Sequence, residues 1–229
     1  MDIRRRSSCR RRIFCTARGQ CARSWAGPEI AEEPLLQLIL IRHGEPDLSA
    51  GSVDPPLSER GIRQAEETAA RLSREAIDAL FTSPLLRARQ TLEPLAQKLG
   101  LTPEVVEGLA EIDYWGGRYL SVEELRRAGG DTWEDFLRDP VGTLGGDEQA
   151  FLETISNTMS GLTKRDFKRV AIATHGFPIN AMLSEILSMQ GLINFTPHHG
   201  SVTRLHADDA GQLRVLSINE MTHITRDAH

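Results

Sequence analysis

From Pro34 to the C terminus this 229-residue chain contains no cysteine. No disulfide can brace that portion, which fits a reducing compartment, and the cytoplasm is the simplest expectation. Also missing is any apolar run of the length needed to cross a bilayer, so the chain reads as soluble, with no membrane partner. Positive charge is not in surplus either: the formal net charge is -5, whereas a nucleic-acid-binding domain is normally basic. No internal repeat is present. What remains is a chain with 40% hydrophobic residues, enough to bury a sizeable core and to fold as one globular domain.

The average charge hides a split. Residues 1–25 hold eight arginines against the single acid Asp2, so this segment is +7 and the remainder -12. Cys9, Cys15 and Cys21 all fall in it, without the histidine or fourth cysteine that a tetrahedral zinc shell needs. The segment lacks the apolar core of a secretory signal. An organellar transit segment and a start codon read too far upstream would both look like this; residues 1–33 are read as a basic, disordered and functionally silent extension, and residues 34–229 as the folded domain.

After the polar join at residues 28–34, Leu35 to Ile41 runs almost wholly apolar, the pattern of a strand buried on both faces. Ser58 to Ser73 reads as a helix with Ile62, Ala65, Ala69 and Leu72 on its buried face. Ile77 to Phe81 reads as a second strand, and Ser83-Pro84 as the cap and first position of a helix running to Leu99. Thr102 to Val106 reads as a further strand, followed by an inserted section with helices at 121–128, 131–137 and 147–162. Arg169 to Thr174 (strand), Phe177 to Met189 (helix), Ser201 to His206 and Leu213 to Asn219 (strands) complete the pattern. Alternation of this kind predicts a three-layer α/β/α fold with a mainly parallel central sheet, whose ligands sit beyond the carboxyl ends of the strands.

Three such ends carry reactive or cationic groups. Arg42-His43-Gly44-Glu45 follows the first strand, with Gly44 read as allowing a substrate close to the backbone. Arg87 lies in the first turn after the second strand, and His175 follows Thr174. A neutral imidazole is a competent nucleophile, and His43 is the candidate. Arginine forks neutralise non-bridging phosphoryl oxygens without a metal, a task suited to Arg42 and Arg87. No pattern calls for a cofactor or a metal. His198-His199 lacks a surrounding carboxylate cluster and reads as a loop near the site mouth.

The Arg42-His43-Gly44-Glu45 run resembles the signature of the histidine phosphatase superfamily, the phosphoglycerate mutase-like family. The resemblance continues through Asp54-Pro55-Pro56-Leu57-Ser58-Glu59-Arg60-Gly61, Ser83-Pro84-Leu85-Leu86-Arg87-Ala88-Arg89-Gln90-Thr91 and Thr174-His175-Gly176, in order, across residues 36–219. It implies that His175 is the second histidine of the site, cationic and donating to the phosphate. It also implies a general acid between the second and third motifs: Glu111 in Leu109-Ala110-Glu111-Ile112-Asp113, with Asp113 as fallback, and a pKa raised by its surroundings.

Within that family Leu48 and Ser49 replace the tryptophan and asparagine with which mutases tend to continue the first motif, so water is the expected acceptor. The expectation is a metal-independent phosphomonoester hydrolase working through a phosphohistidine on a small phosphorylated metabolite. A phosphoglycerate mutase-type phosphotransferase and a non-catalytic phospho-ligand binding module are the alternatives. Tyr114 to Tyr119 departs from the Phe-Gly-x-Trp-Glu-Gly pattern of the alpha-ribazole phosphatase-like and broad-specificity branches, which leaves the substrate and the oligomeric state open.

Overall fold

The computed structural model describes residues 36–116, 122–208 and 210–225. The reading of residues 1–33 lies outside them. Six strands, β1 (Leu36–Arg42), β2 (Ala79–Thr82), β3 (Glu104–Val105), β4 (Arg169–Thr174), β5 (Val202–Ala207) and β6 (Leu213–Glu220), form one sheet in the order β3-β2-β4-β1-β5-β6. The first four in that order run parallel; β5 is antiparallel to β1, and β6 to β5. The mainly parallel sheet expected from the alternation is therefore present.

Alternation along the strands builds two cores. Leu36, Leu38 and Leu40 of β1, with Val170 and Ile172 of β4, face the helices α5 (Gly130–Arg138), α7 (Glu148–Thr163) and α8 (Gly176–Leu187). Ile39, Ile41, Ala171 and Ala173 point the other way, onto α1 (Glu59–Leu72) and α2 (Leu86–Leu99). A strand covered on both sides has no polar face to spare, which is why β1 and β4 read as continuous apolar runs. Helices on both faces make the three layers.

The inserted section is a set of short helices, α3 (Asp113–Gly116), α4 (Val122–Ala128), α5 and α6 (Pro140–Thr143), leading into α7. Phe136 of α5 is fully buried and packs edge-on against Phe177 of α8, which ties the section to the sheet. Among the described residues no helix is long and apolar enough to cross a membrane.

Three local expectations need correction. Ile62 is 48% exposed, and the buried face of α1 is instead Gly61, Gln64, Ala65, Thr68, Ala69 and Leu72. Polar members displace the isoleucine because this face meets the loop after β1, where Gln64 Oε1 accepts from Glu45 N at 2.8 Å. The strand at 102–106 shortens to Glu104–Val105, an edge piece with both residues exposed. Ser83 does not cap α2, which starts at Leu86; the Asp54 carboxylate takes the Leu86 N–H at 3.0 and 2.9 Å.

Candidate active site

The sheet ladder continues one residue past its strand ends. His43 N donates to Thr174 O at 2.9 Å and Ser83 N to Ala173 O at 3.0 Å, so the ends of β1, β2 and β4 lie side by side. His43, Arg87 and His175 are thereby brought together at the carboxyl edge, all buried, with the His43 and His175 ring centroids 5.0 Å apart. Arg42, half-buried beside them, donates to Pro197 O.

Two glycines let the β1 loop sit against α1. A Cβ on Gly44 would come 2.5 Å from Gly61 O, and one on Gly61 would come 2.1 Å from Glu45 O. The neighbour that needs the space at Gly44 is thus the α1 backbone, not a substrate as the sequence suggested. Gly44 N also donates to Thr91 Oγ1 at 2.9 Å, and Thr91 returns its own hydrogen to Arg87 O at 2.7 Å. The loop bearing His43 is latched to the helix bearing Arg87.

His43 Nδ1 lies 2.7 Å from Gly44 O. A carbonyl can only accept, so Nδ1 carries the hydrogen and Nε2 keeps its lone pair. Burial holds the imidazole well below its ordinary value of 6.5, and His175, Arg87, His199 and Arg42 push in the same direction. At neutral pH His43 is therefore neutral, the form a nucleophile needs.

His175 is fully buried, and burial followed by Arg87 and Arg42 also pushes its pKa well below 6.5. The cation expected from the resemblance is not what these surroundings favour: two guanidiniums and lost hydration select the neutral ring. Its Nε2 is 2.7 Å from Ser83 Oγ.

Glu111 sits on the segment before α3, fastened by Thr174 Oγ1 donating to Leu109 O at 2.8 Å. Its Oε1 accepts from Ile112 N at 3.1 Å and its Oε2 from Phe177 N, at the start of α8, at 3.4 Å. Burial raises its pKa to about 7, helped by Asp113 and opposed by Arg87 and the two N–H groups. A carboxyl poised near neutrality can give a proton in one step and take it back in the next. Asp113, the fallback, pairs instead with Arg87, whose Nη2 lies 3.1 Å from Oδ2, while Asp54 approaches Nη1 at 3.5 Å.

His199 was expected only at the mouth. Its ring lies 5.1 Å from that of His43, and its Nδ1 is 3.2 Å from His43 O, so it flanks His43 directly. Its neighbour His198 is exposed, and so is Arg89 on α2. Sequence reasoning missed Ser83, Thr91 and Asp54 as parts of the site, although each lies inside a quoted motif and so was marked without being given a task.

The model of the histidine phosphatase superfamily (branch 1) matches residues 38–220. The chain belongs to that superfamily and is a phosphatase of the histidine phosphatase type. It is 28% identical over 206 residues to phosphoserine phosphatase 1 of Hydrogenobacter thermophilus, covering 83% of this chain and 95% of that protein. It is 32% identical over 156 residues to PhoE, an uncharacterized phosphatase of Bacillus subtilis, covering 64% of this chain and 75% of the relative. The crystal structure of the alpha-ribazole phosphatase of Shigella flexneri shares the fold, with a TM-score of 0.65 at 20% identity, covering 84% of this chain and all of the other.

Proposed function

We propose that the chain hydrolyses small phosphomonoesters without a metal, through a phosphohistidine on His43. The observation that carries this reading is the protonated Nδ1 of His43, tied to Gly44 O at 2.7 Å, which leaves Nε2 as the nucleophile among Arg42, Arg87 and His175. In the first step the Nε2 lone pair attacks phosphorus and the P–O bond to the alcohol breaks. The Glu111 carboxyl hydrogen goes to the departing oxygen. In the second step the Glu111 carboxylate takes a proton from water, the water oxygen attacks phosphorus, the N–P bond breaks and inorganic phosphate leaves. Arg42, Arg87 and His175 hold the non-bridging oxygens throughout, where donors fixed in advance stabilise the transferring group.

The relatives named above support a phosphate ester of a small alcohol, and phosphoserine heads the panel to be tried because the H. thermophilus protein bears that name. The absence of cysteine from residues 34–229 supports a cytoplasmic site of action. The test is hydrolysis of p-nitrophenyl phosphate and a panel of small phosphomonoesters in EDTA, with His43→Ala alongside and a search for an acid-labile phosphoenzyme. Turnover that survives chelation, is lost in the variant and passes through phosphohistidine is the expected result. Turnover retained by folded His43→Ala would overturn the mechanism.

A further inference from the structure

Ser83 has a hydroxyl that is fully buried, and among the described residues its oxygen has two hydrogen-bond partners: Leu85 N, which donates to it at 3.3 Å, and His175 Nε2 at 2.7 Å. Leu85 N can only donate, so among the described residues the acceptor for the Ser83 hydrogen is His175 Nε2. At the other end of the ring, Nδ1 is buried without a hydrogen-bond partner among the described protein atoms.

Counting donors and acceptors separates the three forms His175 can take. If Nε2 carried the hydrogen and gave it to Ser83, the serine O–H would be a buried donor with nothing to bind. The Nδ1 lone pair would then be a buried acceptor turned on an anionic ligand. An imidazolium would strand the same serine hydrogen and add a buried charge beside Arg87 and Arg42. With the serine donating to Nε2, every group is matched except one N–H at Nδ1, and a phosphoryl oxygen is the partner that N–H lacks. Each buried polar group left unpaired is costly, so the form that strands the fewest prevails.

We infer that Ser83 is a positioning residue: by donating to His175 Nε2 it fixes the neutral Nδ1–H tautomer, so that His175 offers the phosphoryl group a neutral hydrogen-bond donor instead of a cation. The depressed pKa of His175 agrees with this, since burial and the two arginines disfavour the charged ring. The role given to Nδ1–H rests on the phosphatase reading above; the tautomer itself does not.

The test is a long-range proton–nitrogen correlation spectrum of the full chain with 15N-labelled histidine at pH 7, His175 being assigned by difference from His175→Gln. A neutral ring protonated at Nδ1 is expected, and inorganic phosphate should move the Nδ1–H resonance much more than Nε2. Ser83→Ala should populate the Nε2–H form and lower kcat by about tenfold, the size of one hydrogen bond strengthened in the transition state, with KM little changed. Ser83→Thr should restore both. An imidazolium or an Nε2–H ring in the wild type overturns the inference, as does a Ser83→Ala protein with unchanged tautomer and kcat. If Ser83→Ala does not fold, the wild-type spectrum decides alone. The expected tautomer in a protein that hydrolyses no ester and ignores phosphate supports the role of Ser83 in fixing the ring and sinks the phosphatase mechanism instead.

Discussion

Arg87 Nη2 lies 3.2 and 3.1 Å from the two carboxylate oxygens of Asp113, and both side chains are buried. Asp113 is held close to Glu111 by the chain, yet the two carboxyls differ in setting because Asp113 has the Arg87 guanidinium within ion-pairing distance. The charge of Asp113 helps to raise Glu111, and Arg87 works against that rise.

Replacing Asp113 by asparagine removes the negative charge while keeping the shape. The pKa of Glu111 should then fall from about 7, and the alkaline limb of kcat/KM should move to lower pH. Losing a buried charged partner of Arg87 should also cost about 1–3 kcal/mol of stability. A pH–rate profile and a thermal melt of the variant check both. An alkaline limb that stays in place would mean that the two carboxyls do not sense one another.

As a general acid Glu111 must be protonated, so kcat/KM should decline as pH rises through about 7. Glu111→Gln should abolish that limb. It should cut kcat/KM for alkyl phosphates, which reports the first step and not the water step, by about 10²–10⁴-fold, the usual range for losing a positioned acid. Aryl phosphates such as p-nitrophenyl phosphate, whose leaving group departs without a proton, should lose far less. Equal losses on both substrate types would remove Glu111 from proton transfer.

Acid should destabilise the fold by way of the site. His43, His175 and His199 all have folded-state pKa values well below 6.5. Below that value the unfolded chain binds more protons than the folded one, so stability is lost as pH falls. Glu111 and Asp113 act with the opposite sign: raised in the folded state, they favour it at low pH, and the Glu111 contribution fades as pH climbs from 4.5 to about 7. With three rings against these two carboxyls, Tm should drop between pH 7 and pH 5, and His43→Gln should flatten the slope. A Tm that rises on acidification would contradict the neutral histidines.

Gly61→Ala tests the approach of the β1 loop to α1. The new methyl would lie 2.1 Å from Glu45 O, a backbone atom that cannot move aside without displacing the loop. Overpacking of this kind should cost about 3 kcal/mol and lower kcat, because His43 rides on the same loop. Denaturant unfolding and steady-state kinetics give the two numbers; a variant as stable and active as the wild type would show that the approach of the β1 loop to α1 does not depend on Gly61.

Much of this molecule was legible in the order of its residues. An apolar run such as Leu38 to Ile41 has the pattern of a strand buried on both faces, and strands alternating with helices put Arg42, His43, Arg87 and His175 at one sheet edge. These inferences hold because periodicity and motif are local properties of the chain. What the fold alone decided are matters of distance between remote residues and of water removed. Asp113 meets Arg87 across 26 positions and Ser83 meets His175 across 92, which no local pattern could specify. Glu111 becomes a carboxyl with a pKa near 7 because packing strips its hydration and sets Asp113 beside it, and His175 a neutral ring because packing strips its hydration and sets two guanidiniums beside it. Ile62 turns outward for the same kind of reason: the face of α1 that meets the β1 loop needs the small Gly61 and the hydrogen-bonding Gln64 more than it needs another apolar side chain.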